Sequence, residues 1–424
     1  MKVVKYLAYL IITIALITTA YLYSPPLDDI VVTFLPTTDQ TKVQRITLNN
    51  DQPSSLLVED SLNHTCTKKH NNFVFVKTHK TGTSTTVNIL YHFGITHGLN
   101  YAVYPYSHQL YLVQPARLMK LLSNETYSIM CQHMVFDKSA IESVMPSNSY
   151  YFSLIRNPIK AFVSFFIFYN NDQRMIHYAG SKISLDESIN RFLNLKIRES
   201  NVREDSGSYL IANNFNSMSY DLGMSHGRTK VITEDDITAY IRMLDDRFDL
   251  LMTLEHLDES LLLLQQDLCW DMNEMFYLNR MVSKSQRSHE PLEESTVARL
   301  TKLLTPDVRL YKHFSEKLDK RLSGMPPDFA DKLKEFREAK SKFESDCMVM
   351  DKLVAAPYHS QQHPLTKEGE ASLHCQVLAE RDTTLTKLIS RLQDPNYASQ
   401  SNSDPYVNKY GNLGSFPRQW KLKT

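Results

Sequence analysis

The chain has 424 residues, 47 of them basic and 47 acidic, so its formal net charge is zero, and 42% of it is hydrophobic. That length allows one large or two ordinary domains with a sizeable core. The charge balance excludes a protein whose main task is coating nucleic acid or anionic membrane, and 10% aromatic content excludes bulk disorder.

The first predicted element is N-terminal. Between Lys5 and Asp28 no charged residue occurs, and Pro25 and Pro26 close the run. Its apolar part, Tyr6 to Tyr23, would be about 27 Å long as a helix, which matches a bilayer core. Two lysines before it and Asp28 and Asp29 after it orient the remainder of the chain to the lumen or exterior. Residues 1–24 therefore read as a cytosolic tail and uncleaved signal anchor. A cleaved signal peptide is the alternative, since Thr18 and Ala20 are small enough for a cleavage site.

Residues 25–67 read as a luminal stem, rich in Thr, Asp, Asn, Gln and Pro without amphipathic period. The triplets Asn63-His64-Thr65 and Asn124-Glu125-Thr126 are glycosylation sequons that agree with luminal exposure. Cys66, Cys131, Cys269, Cys347 and Cys375 supply at most two disulfides, with one thiol left free or available to pair a homodimer. Cys347 with Cys375 is one plausible bridge, both lying in the polar C-terminal region. No CxxC pair or clustered carboxylate and His/Cys set indicates a metal.

From Asn72 the pattern becomes that of a folded domain. Phe73-Val74-Phe75-Val76 predicts a strand, and Val87, Leu90 and Phe93 fall at helical spacing after a polar loop. Tyr150 to Ile155 predicts a second strand running through Arg156-Asn157-Pro158 into a helix from Ala161. Phe248 to Leu254 predicts a third, with Asp258 as N-cap of a helix from Glu259 to Leu268. Strands alternating with helices predict an α/β fold with a central parallel sheet flanked by helices. Charged helix follows from Pro326 to Met348, and one further helical stretch near Leu373–Leu392.

The loop Lys77-Thr78-His79-Lys80-Thr81-Gly82-Thr83-Ser84-Thr85-Thr86 carries the strongest chemical signal. A strand enters it and a helix leaves it, so orphan amides, hydroxyls and a cation gather at one point, as phosphate and sulfate sites require. The lysine precedes the glycine, so it is not a Walker A loop, which opposes a P-loop kinase. An ordinary turn capped by Thr and Ser is the plain alternative. Arg156 at the end of the second strand, with Ser164 eight residues on, forms a second candidate anion site on a neighbouring strand end. Two aromatic runs stand apart: Tyr101 to Tyr106 reads as a candidate acceptor groove, and Phe165 to Tyr169 as core.

Here the sequence resembles a known family. Lys80-Thr81-Gly82-Thr83-Ser84 resembles the 5′-phosphosulfate loop of the sulfotransferases, and Leu154-Ile155-Arg156-Asn157-Pro158 with Ser164 their 3′-phosphate motif. Lys77 to Thr81, Cys131-Gln132-His133-Met134, Phe215 to Gly223, and Leu257-Asp258-Glu259-Ser260 with Cys269-Trp270 are similar to the galactose 3-O-sulfotransferases, a family that includes galactosylceramide sulfotransferase. The resemblance covers about residues 68–345, with 346–424 as a partly helical C-terminal extension. Two departures are Gly82-Thr83, where the family commonly has Ala-Ser, and Leu278-Asn279-Arg280-Met281, where it is more basic.

The resemblance implies a sulfotransferase fold and transfer of a sulfuryl group from 3′-phosphoadenosine 5′-phosphosulfate to the 3-hydroxyl of a terminal galactose, without a metal. Lys80, Thr81, Gly82, Thr83, Ser84 and Thr85 would hold the 5′ side of the donor, and Arg156 and Ser164 its 3′-phosphate. Lys80 would stabilise the departing phosphate. His133 is the first candidate for the base that takes the hydroxyl proton, and His79 the second. The implied acceptor is a glycolipid or glycoprotein glycan, and the implied location the Golgi membrane in single-pass type II orientation. The rivals are transfer to another sugar or hydroxyl, and a non-catalytic glycan-binding glycoprotein, which would need neither donor site.

Overall fold

A computed structural model describes residues 66, 68–104, 109–121, 125–200, 209–211, 215–224, 230–278, 286–349 and 364–393. The predicted anchor, nearly all of the predicted stem, both sequons' asparagines and residues 279–281 lie outside these. Among the described residues no helix is long and apolar enough to cross a membrane. The described residues all fall in one compact unit spanning residues 60–424.

Four parallel strands form the central sheet: β1 Phe73–Val76, β2 Ile129–Met130, β3 Tyr150–Ile155 and β4 Leu250–Thr253, in the spatial order β2-β1-β3-β4. Phe73 pairs with Tyr150 and Val76 with Ser153, while Phe152 pairs with Leu250 and Ile155 with Thr253. All four β1 side chains are buried, as expected of a parallel strand covered on both faces. Parallel neighbours need long crossovers. Helix α1, Thr83–His97, lies in the connection from β1, and α2, Pro158–Phe168, follows β3. Three further helices frame the site: α3 Ser217–Asp221, α4 Leu257–Leu268 and α5 Thr305–Ser323.

The period of two along the strands divides the core into two layers. Phe73, Phe75, Phe152, Leu154, Leu250 and Met252 point to one face, where they meet Leu90 and Phe93 of α1, Leu261 and Leu264 of α4, and Trp270. Trp270 stacks on Phe93 with ring centroids 3.5 Å apart. Val74, Val76, Tyr151, Ile155 and Leu251 point to the other face, against Phe136, Met218, Leu222, Ile241, Leu310 and Phe314. Short two-stranded ribbons, Gln109–Leu112 with His133–Val135 and Tyr209–Ile211 with Lys230–Ile232, lie outside the main sheet.

The third predicted strand is present as β4, but the helix after it begins differently. Leu257 is already helical and His256 takes the cap position, so Asp258 is not the N-cap. Its carboxylate instead accepts from Tyr277, Arg337 and Lys340, tying the long helix α6, Phe329–Cys347, to the core. The helical stretch predicted near Leu373–Leu392 is two helices, Leu373–Ala379 and α7, Asp382–Gln393. Cys375, Val377, Leu385 and Ile389 sit in the same apolar layer as Phe73.

The disulfides are Cys66–Cys269 and Cys347–Cys375. The first joins the start of the described chain to the end of α4, and the second bridges α6 to the helix Leu373–Ala379. The fifth cysteine, Cys131, is a buried thiol, so it is not exposed for pairing between chains.

Candidate active site

The C-terminal edges of the parallel strands bring the predicted site residues together, where open α/β sheets bind ligands. Lys77 to Gly82 leaves β1, Arg156 leaves β3 and Cys131-Gln132-His133 leaves β2. The Arg156 guanidinium donates from Nη1 to the Lys80 carbonyl at 3.2 Å, so the two predicted anion motifs touch.

The loop's shape depends on two left-handed residues, Lys80 at φ 63° and Gly82 at φ 87°. A Cβ on Gly82 would stand 2.7 Å from Leu254 Cδ1, just past β4, so glycine suits both the backbone and the space. Thr81 and Thr83 are buried, and their hydroxyls close the loop on itself. Thr81 Oγ1 lies 2.7 Å from the Thr78 hydroxyl, and Thr83 Oγ1 donates to the Thr78 carbonyl at 2.7 Å. These two threonines therefore shape the cradle, and what they offer a ligand is backbone. Ser84 and Thr85 are half-buried at the start of α1, where the Thr85 amide donates to the Gly82 carbonyl at 3.1 Å and the Thr83 and Ser84 amides lack intrahelical acceptors.

Lys80 is the electrostatic centre. Its ammonium sits over the Phe168 ring, 3.7 Å from the centroid. Burial first, then the nearby positive charges of Arg156 and Lys77, lower its pKa to about 7. A cation crowded by cations and removed from water is stabilised by an incoming anion, so the residues fit a phosphosulfate donor. Phe168 was readable in the sequence only as core. Ser164, half-buried in α2, lies on the same helix, whose cap Asn157 accepts from the Lys160 amide at 3.1 Å.

Both candidate bases stand beside this loop. The His79 and His133 rings stack with centroids 4.4 Å apart. His133 Nδ1 lies 3.2 Å from the Lys77 carbonyl oxygen. His79 Nδ1 lies 2.9 and 2.8 Å from the two oxygens of Asp221, which also accepts the His79 backbone N–H at 2.6 Å. A carbonyl and a carboxylate both accept, so each ring carries its proton on Nδ1 and keeps Nε2 as its lone-pair nitrogen.

Asp221 ends α3 and is fully buried, and desolvation raises its pKa against the pull of His79 and Lys77. Asp307, in the first turn of α5, fixes the other end of α3. Its oxygens accept from the Met218 and Ser219 amides at 3.3 and 2.8 Å and from the Ser219 hydroxyl at 2.7 Å. Burial pushes Asp307 up to about 6. Gly223, at φ 91°, turns the chain after α3 where a Cβ would meet the Phe136 carbonyl at 2.0 Å. The Phe136 amide in turn donates to the Asp221 carbonyl at 2.8 Å. Asp221 falls within the segment Phe215 to Gly223, but nothing in its spacing announces a partnership with a histidine 142 residues earlier.

Tyr101 and Tyr104 do not line an acceptor groove. Both are buried, and the Tyr101 hydroxyl donates to the Tyr91 carbonyl at 3.0 Å. Tyr106 lies outside the described residues. Residues 279–281 lie outside them too. Among the described residues no cluster of three or more His, Cys, Asp or Glu is arranged for a metal.

This geometry can be set against known proteins. The galactose-3-O-sulfotransferase profile matches residues 26–379. The chain belongs to the galactose-3-O-sulfotransferase family. It is 34% identical over 252 residues to human galactose-3-O-sulfotransferase 2, covering 58% of this chain and 60% of the relative. It is 27% identical over 299 residues to human galactose-3-O-sulfotransferase 3, covering 68% and 65%. Human galactosylceramide sulfotransferase is 26% identical over 298 residues, covering 65% and 64%. The matched region thus spans slightly less than two thirds of each relative. In this family member the two predicted anion motifs and both histidines share one edge of the sheet.

Proposed function

We propose that this protein transfers a sulfuryl group from 3′-phosphoadenosine 5′-phosphosulfate to the 3-hydroxyl of a terminal galactose on a glycolipid of galactosylceramide type or on a glycoprotein glycan. The observation that carries the reading is the meeting of Lys80, Arg156 and the Asp221-backed His79 at one sheet edge, in a chain of this family.

Sulfuryl transfer resembles phosphoryl transfer in demanding alignment of attacking and leaving oxygens and little covalent work from the protein. Lys80, the amides of Gly82 to Ser84 and the Thr85 hydroxyl hold the 5′-phosphate side and take up charge as the phosphate departs. Arg156 and Ser164 hold the 3′-phosphate, which distinguishes this donor from simpler adenine nucleotides. His79 takes the proton from the galactose hydroxyl at Nε2, and Asp221 stabilises the imidazolium that results. His133 holds the acceptor side by stacking on His79. The buried carboxylate behind His79 supports this order over the reverse, because His133 has a neutral carbonyl at the same ring position. No step requires a metal.

A Golgi location and type II anchoring through Tyr6 to Tyr23 belong to the same proposal and rest on the sequence. An acceptor panel with radiolabelled donor, followed by mapping of the sulfated position, tests the reading. Label on the galactose 3-hydroxyl is expected. Transfer only to other positions would replace it with a different carbohydrate sulfotransferase. Failure to bind 3′-phosphoadenosine 5′-phosphate in calorimetry would replace it with a glycan-binding protein.

A further inference from the structure

The loop that carries Lys80 and His79 is gripped from behind by a helix far away in sequence. Lys77 is the first residue beyond β1, and its backbone and side chain serve different partners. Its carbonyl meets His133 Nδ1, while its ammonium pairs with the carboxylate of Asp382. The Lys77 side chain is only 3% exposed, against 22% for Asp382. A buried ammonium without a counter-charge is costly, so the carboxylate fixes where the lysine can rest.

Asp382 is itself fixed. Its second oxygen accepts the Thr383 amide at 2.7 Å, and its carbonyl accepts the Thr386 hydroxyl at 2.9 Å. Thr386 Oγ1 lies 2.8 Å from the Tyr91 hydroxyl on α1 and accepts from Gln132 Nε2 at 3.2 Å, one residue before His133. At the far end of α7, Gln393 accepts the Tyr101 amide at 2.6 Å and donates to the Tyr101 carbonyl at 3.0 Å. Helix α7 thus touches the chain just before Lys80, just before His133, and along the helix that starts at the donor loop.

We propose that Asp382 is a positioning residue for the donor loop, acting through Lys77, and that α7 is therefore part of the donor site rather than an appendage. The proposal rests on the donor reading above. Lys77, Lys80 and Arg156 bring three positive charges to one strand edge, and Asp382 cancels the one that cannot reach a ligand from its buried seat. Without that carboxylate, the buried Lys77 ammonium loses its counter-charge and must swing outward. That change displaces the backbone that sets Lys80 three residues later and the carbonyl that orients His133.

The test uses the whole protein with Asp382→Asn, Asp382→Glu and the double variant Lys77→Met with Asp382→Leu, which replaces the pair by apolar groups of similar size. Binding of 3′-phosphoadenosine 5′-phosphate is measured by calorimetry, and KM for donor and acceptor by steady-state kinetics. Asp382→Asn is expected to weaken the bisphosphate and raise the donor KM about tenfold, leaving the acceptor KM unchanged. Asp382→Glu should recover most of the loss. The double variant should melt near the wild-type temperature yet bind the bisphosphate weakly. Wild-type donor affinity in Asp382→Asn, or full recovery of both stability and affinity in the double variant, would reduce the ion pair to a structural one and overturn the proposal. If the unmodified protein fails to bind the bisphosphate, it is the donor reading that falls, a result distinct from either.

Discussion

His79 Nδ1 stands 2.8 Å from Asp221 Oδ2, and the same oxygen accepts the His79 amide at 2.6 Å, so one buried carboxylate fixes both the ring and the backbone of the residue beside Lys80. An imidazole that must gain a proton in the transition state benefits from such a partner. Asp221→Asn keeps the shape but offers Nδ1 an amide where a carboxylate stood. It is expected to lower kcat about 100-fold or more, within the range of lost general-base assistance. Binding of 3′-phosphoadenosine 5′-phosphate should be nearly unchanged. His79→Ala should lose as much, and His133→Ala less, if Asp221 marks the base. Equal turnover in Asp221→Asn and wild type, measured under saturating donor, would remove the carboxylate from the mechanism.

The Lys80 ammonium sets a second expectation, in pH. Its pKa is lowered to about 7, by burial and by Arg156 and Lys77, so the lysine is charged below that value and neutral above it. Affinity for an anionic donor should therefore hold below pH 7 and decline above it, approaching about tenfold per pH unit while the bound form stays protonated. Calorimetry with the bisphosphate product between pH 6 and 9 checks this. Lys80→Arg should flatten the decline, because a guanidinium stays charged across that range. A wild-type affinity that does not change over these pH values would show that Lys80 does not meet the ligand.

The parts readable from the sequence were those with local causes. Phe73 to Val76 and Tyr150 to Ile155 are short apolar runs ended by polar loops, and they form adjacent parallel strands as expected. The motif residues Lys80 and Arg156 follow those strands directly, so their meeting follows from strand adjacency. What stayed hidden depends on long-range contacts. Asp221, Asp307 and Asp382 are single carboxylates in unremarkable helical segments, and their partners lie 142, 88 and 305 residues away. Asp258 shows the converse error. Its local pattern suits an N-cap, but it is the second residue of the helix, and tertiary partners Arg337 and Lys340 claim its carboxylate there. Tyr101 likewise looks like a sugar platform in a list of aromatics, and its hydroxyl is instead buried against α1.

Gly82 makes a further test. In this chain the residue adopts φ 87° and its hydrogen faces Leu254. An alanine in left-handed backbone costs about 1–2 kcal/mol, and the Leu254 side chain would have to rotate away. Gly82→Ala should lower the melting temperature and weaken the bisphosphate severalfold through a shifted loop, while leaving the acceptor KM unchanged. Paired with Leu254→Ala, which opens the space, it should recover part of the affinity but not the backbone strain. A melting temperature and affinity equal to wild type in Gly82→Ala would mean that the loop relaxes to another conformation without cost.

A last prediction concerns acid stability, away from the site. His92 of α1 and His374 stack nearly parallel, with ring centroids 3.6 Å apart and planes 7° from each other. His92 Nδ1 and His374 Nε2 are buried without a hydrogen-bond partner among the described residues. Protonating either would create a buried charged donor with no acceptor, facing the other ring. Burial accordingly lowers both pKa values, that of His374 to about 4 and that of His92 further. The unfolded chain binds these protons near pH 6.5, whereas the folded chain resists them. The stability they contribute is therefore complete above about pH 6.5 and is lost progressively as pH falls toward 4. The pair joins α1 to the helix bridged to α6 by Cys347–Cys375, so its loosening should release the packing around that disulfide first. His374→Phe keeps an aromatic ring in the stack and removes one titration. Denaturation measured from pH 8 to 4 should show a smaller acid loss in His374→Phe than in wild type, and parallel curves for the two would mean that the stack contributes nothing to acid lability.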